Sequence, residues 1–101
     1  MDLKTATEIG KCLSNHVRLS ILEWLKEPEK NFPPHQSIKH FNDGVCVTFI
    51  KEKSGLSQST VSTYLINMEK CGLLISTRHG KWSYLKRNEK LITAYSQFLT
   101  K

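Results

Sequence analysis

The sequence predicts one mixed α+β domain that is mainly helical, with the element order α-α-α-α-β-β-α. Three observations support this fold class. The chain has 101 residues, 39% hydrophobic and 24% charged, which is typical of a single compact domain. Apolar residues recur at helical spacing in five segments, and two β-prone runs flank a turn that contains glycine. We therefore interpret residues 1–101 as one domain.

The first two predicted helices lie at the N-terminus. Leu3, Ala6, Ile9 and Leu13 are spaced to form the apolar face of a helix that ends near Leu13. Ser14 or Asn15 is a suitable cap for a second helix over residues 16–25. Residues 29–44 contain Pro33-Pro34 and Asn42-Asp43-Gly44 and show little periodicity. This composition predicts a long loop between the second and third helices.

The segment 45–71 predicts two helices joined by a tight turn. Val45 leads a short helix that stops at Ser54-Gly55, and Ser57 is placed to cap a second helix over 58–71. Val61, Leu65 and Met68 lie on one face of that second helix, with short polar side chains facing away from them. This is the layout of a helix-turn-helix, whose second helix enters the DNA major groove.

The polar residues that open this second helix are the candidate DNA contacts. They are Ser57, Gln58, Ser59, Thr60, Ser62 and Thr63. Their short side chains allow close approach to base edges, glutamine can hydrogen-bond adenine bidentately, and the free backbone N–H groups of a helix N-terminus suit a phosphate. An ordinary surface helix with a good cap is the alternative.

A β-hairpin is predicted over residues 73–86, directly after this helix. Its tip carries the further candidate DNA contacts Arg78, His79 and Lys81 around Gly80. A basic hairpin in this place is typical of a wing that reaches the DNA backbone or minor groove. Basic side chains also protect exposed strand edges from aggregation, and Trp82 and Tyr84 are expected to pack rather than stack on bases. Asn88 is placed to cap a final helix.

The charge is distributed unevenly along the chain. The formal net charge is +6, and residues 1–44 contain equal numbers of basic and acidic side chains, so the whole surplus lies in residues 45–101. A polyanion such as nucleic acid or an anionic membrane surface is therefore the first partner to consider, with simple solubility as the alternative. No apolar run approaches the ~20 residues needed to cross a bilayer, and no catalytic set or phosphate loop appears. We expect a cytoplasmic protein that is not an enzyme and needs no cofactor.

Four runs of residues resemble the ArsR/SmtB family of winged-helix repressors, over about residues 5–90. They are Ser14-Asn15-His16-Val17-Arg18-Leu19-Ser20-Ile21-Leu22, Gly55-Leu56-Ser57-Gln58-Ser59-Thr60-Val61-Ser62, Cys71-Gly72-Leu73-Leu74 and Gly80-Lys81-Trp82-Ser83-Tyr84. The resemblance implies a winged helix-turn-helix fold and a dimeric bacterial repressor that releases operator DNA when a metal ion or another signal arrives. The position after Ser62, very often histidine in that family, is Thr63 here, so base preference at this point stays open.

The metal sites of the family are incomplete in this sequence. Many metal sensors of the family carry a Cys-x-Cys pair on the helix before the recognition helix. Here Cys46 supplies the first thiol, but Thr48 occupies the position of the second. The family's other common site uses Asp and His on the last helix, and residues 88–101 contain neither. His35, His40 and Cys46 would converge only if the long loop folds back, and their spacing matches no known motif. We expect no metal site.

A thiol signal is the preferred alternative to a metal. The three cysteines, Cys12, Cys46 and Cys71, form no C-x-x-C motif and cannot all pair within one chain, which favours a reducing compartment. Cys46 and Cys12 are the candidate sensor thiols, although Cys12 and Cys71 adjoin apolar positions and are expected to be buried.

The terminal helices are the expected homodimer interface. Residues 1–13 and 88–101 carry apolar stripes that a domain of this size has no second layer to cover. The sequence therefore predicts a homodimeric regulator that binds double-stranded DNA, with an inducer that stays unidentified. A winged helix used only for protein–protein contact is the alternative function.

Overall fold

The computed structural model describes residues 1–36 and 38–101, which form six helices and a three-stranded antiparallel sheet. The helices are α1 (Leu3–Leu13), α2 (His16–Trp24), α3 (Pro28–Asn31), α4 (Val47–Ser54), α5 (Gln58–Lys70) and α6 (Glu89–Thr100), and the strands are β1 (Val45–Cys46), β2 (Leu74–His79) and β3 (Trp82–Arg87). The strand order is β1-β3-β2. This is the predicted winged helix-turn-helix fold. No helix of the described residues has the length and apolarity required to span a membrane.

Side-chain caps determine where the predicted helices begin. Asn15 Oδ1 accepts hydrogen bonds from the backbone N–H groups of Val17 and Arg18 at 2.9 and 3.0 Å, so Asn15 rather than Ser14 caps α2. Asn88 Oδ1 accepts from Leu91 N at 3.2 Å at the start of α6, as predicted. These caps satisfy donors that have no partner within the helix. The observed bounds of α2, α5 and the hairpin differ from the predicted bounds by no more than one residue at either end.

The segment between α2 and α4 contains more regular structure than the sequence predicts. The single-turn helix α3 begins at Pro28, a residue that is favoured in the first turn of a helix. Val45 does not lead the third predicted helix, because Val45 and Cys46 pair with Leu85 and Tyr84 of β3 and α4 begins only at Val47. The expected helical position of Val45 is therefore wrong. Pairing with a strand 40 residues away overrides the local helical pattern.

The hydrophobic core joins both halves of the chain. Its side chains with less than 2% exposure are Ile9, Ile21, Val45, Ile50, Val61, Met68, Leu73 and Tyr84. The apolar faces predicted for the first, second and fourth helices therefore point inward, as expected. Helix α6 differs, because none of its residues is buried and Leu91, Ile92 and Tyr95 are only partly covered. Leu3 and Leu99 are 73% and 64% exposed. The expectation of an uncovered stripe on α1 is therefore wrong for Ala6 and Ile9, which are buried within one chain, whereas Leu3 and the end of α6 remain uncovered.

Candidate nucleic-acid interface

A tight turn joins α4 to α5 and sets the direction of the second helix. Gly55 has a φ of 68° and closes α4 by donating its N–H to Glu52 O at 3.3 Å. Two residues later the Ser57 hydroxyl accepts from Thr60 N at 3.3 Å and donates to Thr60 Oγ1 at 2.8 Å, which caps α5. The left-handed glycine lets the chain reverse without steric cost. The two helices therefore have helix-turn-helix connectivity.

Helix α5 has one buried face and one exposed polar face. Val61 and Met68 are fully buried, whereas Gln58, Ser59 and Thr63 are exposed and Thr60 and Ser62 are half-buried. Thr63 donates its hydroxyl hydrogen bond to Ser59 O at 2.9 Å, within the same helix. The structure thus brings all six candidate residues of 57–63 onto one helix start. Gln58, the longest of their side chains, is exposed one residue after the cap.

The wing is the hairpin formed by β2 and β3. His79 pairs with Trp82 at the end of the ladder, and Gly80 and Lys81 form the two-residue turn with a Gly80 φ of 61°. Arg78 Nε donates to Gly80 O at 3.0 Å, and Lys81 Nζ lies 5.1 Å from the centre of the Trp82 ring. Arg78, His79 and Lys81 are all exposed at this tip. The predicted basic tip is therefore present, with two of its cations held by local contacts.

Asp43 attaches the wing to the loop that precedes β1, a contact that the sequence analysis missed. His79 Nε2 donates to Asp43 Oδ2 at 2.6 Å, and this hydrogen bond holds the pKa of the Asp43 carboxyl below its ordinary value. The only sequence signal was the turn Asn42-Asp43-Gly44. His79, a candidate DNA contact, thus has a protein partner already and also helps to position the wing.

The two aromatic residues of β3 differ in burial. Tyr84 is 1% exposed and contacts the rings of His35 and His79, so the expectation that it packs inside the protein is confirmed. Trp82 is 38% exposed, and the same expectation is only partly correct for it. Residues two positions apart in a strand share one face of the sheet, so Trp82 and Tyr84 differ in burial because of their distance from the core. Trp82 lies beside the turn, beyond the packed part of the sheet.

The loop between α3 and β1 folds back through His35. This side chain is 6% exposed, its Nε2 accepts from Cys46 N and its Nδ1 donates to His40 O, both at 3.1 Å. Its ring also stacks on Phe49, 5.3 Å between centres. Both ring nitrogens therefore bond backbone atoms and are unavailable as ligands. Within residues 1–36 and 38–101, no group of three His, Cys, Asp or Glu side chains is arranged to hold a metal ion.

The two candidate sensor thiols are both buried. Cys46 lies in β1, and Cys12 lies on the inner face of α1 at 7% exposure. Burial raises the pKa of the Cys12 thiol to about 12, and the nearby Cys71 thiol adds to this effect. Cys12 is therefore protonated at neutral pH, which makes it a poor nucleophile when acting alone. Cys71, expected to be buried, is half-exposed at the end of α5.

Basic residues of the second half do not all face one surface. Arg87 is paired with Glu89 at 2.8 Å and also donates to Leu22 O at 3.2 Å. Lys53 Nζ lies 5.3 Å from the centre of the Trp24 ring, on the side of α2. Some of the basic residues that give the second half its net positive charge are thus engaged in contacts within the chain. Arg78 and Lys81 are basic residues that remain exposed at the wing tip.

Comparison with known proteins gives related sequences and related folds. No family model matches the chain. The chain is 46% identical over 92 residues to the HTH-type transcriptional regulator YbzH of Bacillus subtilis, covering 91% of this chain and 92% of that protein. It is 36% identical over 52 residues to a protein of Halobacterium salinarum named as the arsenical resistance operon repressor ArsR2, covering 52% of this chain and 44% of that one.

Solved structures show the same fold at lower sequence identity. A homodimeric winged helix-turn-helix DNA-binding domain from Mycobacterium bovis, described as ArsR-family, matches with a TM-score of 0.68 at 22% identity, over 97% of this chain and 78% of that one. NolR from Sinorhizobium fredii matches with a TM-score of 0.61 at 22% identity, over 94% and 84% of the two chains. At this identity the likeness establishes the fold alone.

Proposed function

Since the chain belongs to the HTH-type transcriptional regulators and has the winged helix-turn-helix fold, we propose that it is a homodimeric repressor of the ArsR type that binds an inverted-repeat operator in the bacterial cytoplasm. The observation that carries this proposal is the exposed polar start of α5, presented by a capped helix-turn-helix beside a basic wing. Neither feature is needed to stabilise an isolated domain, and together they match the shape and charge of duplex DNA. The protein is proposed to regulate transcription without catalysis.

Helix α5 is proposed to read bases in the major groove. The Ser57 hydroxyl accepts a hydrogen bond from Thr60 N. The backbone N–H groups at the preceding positions of the helix start are proposed to bind a DNA phosphate. Gln58 follows directly and extends from the exposed side of the helix, where its amide is proposed to hydrogen-bond adenine bidentately. Ser59, Thr60, Ser62 and Thr63 would allow the helix to lie close to the groove floor and supply further hydrogen bonds.

The wing is proposed to contact the DNA backbone or the adjacent minor groove through Arg78, His79 and Lys81. Lys81 is exposed in the turn itself, and its ammonium group lies near the Trp82 ring rather than near a carboxylate. The His79 hydrogen bond to Asp43 restricts the hairpin. A restrained wing loses less conformational freedom when it binds, which favours binding.

The terminal helices are proposed to form the two-fold interface. Leu3 on α1 and Phe98 and Leu99 on α6 are exposed apolar side chains near the chain ends. The two helices pack against each other within the chain, where the Tyr95 hydroxyl lies 3.4 Å from the Cβ position of Gly10. The related domain from Mycobacterium bovis is described as homodimeric. Such a dimer would place two recognition helices about one DNA turn apart, roughly 34 Å.

A thiol reaction is proposed as the releasing signal ahead of a metal ion. Cys46 and Cys12 are the candidate thiols, and Cys46 lies directly before α4 of the helix-turn-helix. The backbone bonds of His35 argue against a metal at Cys46, because they occupy the nearest imidazole nitrogens. No cofactor is proposed.

Selection from a random duplex pool at moderate salt, with purified reduced protein, tests the proposal. We expect enrichment of an inverted repeat with half-sites about one turn apart, and a dimer in sedimentation analysis. Salt-sensitive binding that enriches no sequence would contradict it. In that case the protein-contact alternative gains support from Ile66, which is 51% exposed on α5.

Replacing Lys81 with alanine should weaken binding to every duplex sequence. One lost phosphate contact should lower the slope of log affinity against log salt by about one. The matched control is Lys30→Ala, because Lys30 is already paired with Glu27 at 3.0 Å and should leave the slope unchanged. Equal slopes for Lys81→Ala and the parent protein would place the wing away from DNA.

A further inference from the structure

Cys12 and Cys71 lie together although they are 59 positions apart in the sequence. Cys12 is on the inner face of α1, Cys71 directly follows α5, and the Cys71 thiol is near enough to add to the raised pKa of Cys12, whose main cause is burial. Both residues line one surface cavity of about 360 Å³. The cavity therefore brings two cysteine side chains from different helices together at one solvent-accessible surface.

The positions of both cysteines are fixed by neighbouring groups. Arg18 Nε donates to Cys12 O at 2.6 Å, and its guanidinium lies 5.0 Å from the centre of the Tyr64 ring on α5. Cys71 Sγ donates to Met68 O at 3.3 Å. These contacts connect the end of α1, the start of α2 and the recognition helix. The two cysteines that line the cavity are thus held at the junction of these three elements.

The cavity lining favours reaction at sulfur. Lys11, Arg18 and Lys70 line it together with a single carboxylate, Glu8. Glu8 lies 3.9 Å from Lys11, both of them well exposed. The surplus of positive charge stabilises the negative charge that develops on a departing oxygen.

We propose that Cys12 and Cys71 are a dithiol oxidation site that forms a disulfide when the protein meets a hydroperoxide. Of the two candidate sensor thiols, this selects Cys12 rather than Cys46, and it adds Cys71, which was not among the candidates. Its consequence for DNA rests on the proposed function, whereas disulfide formation itself does not.

The reaction proceeds in two balanced steps. The more exposed Cys71 sulfur attacks the terminal oxygen of the hydroperoxide, the O–O bond breaks, and the alkoxide takes the Cys71 proton and leaves as an alcohol, or as water when the oxidant is hydrogen peroxide. The sulfur of Cys12 then attacks the Cys71 sulfenic acid, the S–S bond forms, and hydroxide leaves with the Cys12 proton as water. Two thiols lose two electrons and the hydroperoxide gains them.

The disulfide would connect a dimerisation helix directly to the recognition helix. Because α1 belongs to the proposed two-fold interface, the new bond changes how α5 of one subunit is held relative to α5 of the other. An inverted repeat requires one spacing of the two helices. We therefore expect oxidation to lower operator affinity by about tenfold or more, in the range usual for coupled sites.

The experiment treats the reduced full-length chain with hydrogen peroxide, followed by intact mass measurement and peptide mapping. The parent protein and Cys46→Ser should each lose two hydrogen atoms and yield a Cys12–Cys71 cross-linked peptide, reversed by dithiothreitol. Cys71→Ser and Cys12→Ala should yield none. Cys71→Ser keeps the measurement informative if Cys12→Ala fails to fold, because Cys71 is the less buried residue.

DNA binding by the same samples separates this inference from the proposed function. Operator affinity should fall on oxidation for the parent protein and Cys46→Ser, and stay unchanged for Cys71→Ser. A cross-link through Cys46, or oxidation of single thiols without a cross-link, would overturn the proposal. An unchanged operator affinity of the cross-linked protein would overturn its regulatory role. Absence of any selected operator would instead contradict the proposed function, since the cross-link is detected without DNA.

Discussion

Gly44→Ala is expected to destabilise the folded protein by about 3 kcal/mol or more, the largest stability effect of the substitutions considered. Gly44 has a φ of 94°, a region that other residues rarely adopt, and a Cβ there would overlap the Leu85 carbonyl group and lie 2.7 Å from Lys86 N. These are backbone atoms of β3, so no side-chain rotation can relieve the overlap. The chain must shift at the point where the loop enters β1. Urea unfolding followed by circular dichroism measures the loss.

Gly55→Ala is the matched control for this substitution. Gly55 also has a positive φ, 68°, but a Cβ there would have no neighbouring atom within 4 Å. Gly55→Ala should therefore lower the free energy of unfolding only by the cost of placing alanine in the left-handed region, about 1–2 kcal/mol. Equal losses for the two variants would show that overlap with β3 contributes nothing, and that the pairing of β1 with β3 tolerates displacement.

Gln58→Ala is expected to reduce affinity for the selected operator by ~1–3 kcal/mol, which corresponds to roughly 5–150-fold. The reason is loss of a bidentate contact to one base, so discrimination at that base pair should relax while binding to unrelated duplexes changes little. Because Gln58 is exposed, the substitution should leave the free energy of unfolding nearly unchanged. Affinities for the operator and for its single-base variants, measured at one salt concentration, test this result.

The control for Gln58 is Gln36→Ala, an exposed glutamine in the loop between α3 and β1. It lies outside the proposed contacts, and its removal should leave operator affinity unchanged. An equal loss on all sequences for Gln58→Ala would make Gln58 a phosphate contact instead of a base contact.

Local sequence determined the elements that carry the proposed interface. The periodic apolar positions of α5, the Ser57 cap and the turn at Gly55 all involve residues within a few positions of each other, and the structure has each of them. The same holds for the wing, where Gly80 makes the turn between two β-prone runs. Such features depend on backbone dihedral preferences and on helical or strand periodicity, which act within one or two turns of chain. They are therefore readable from the sequence.

Contacts between distant residues were decided only by the tertiary structure. Val45 looked like the start of a helix and became a strand because β3 offered backbone partners. The sequence analysis considered His35 only as a conditional metal ligand and His79 only as a DNA contact, but burial beside β1 and a hydrogen bond to Asp43 gave each of them a structural role. Cys12 and Cys71 came to line one cavity in the same way. The physical reason is that burial and long-range pairing depend on where the packed elements place each side chain, and no local pattern in the chain encodes that placement.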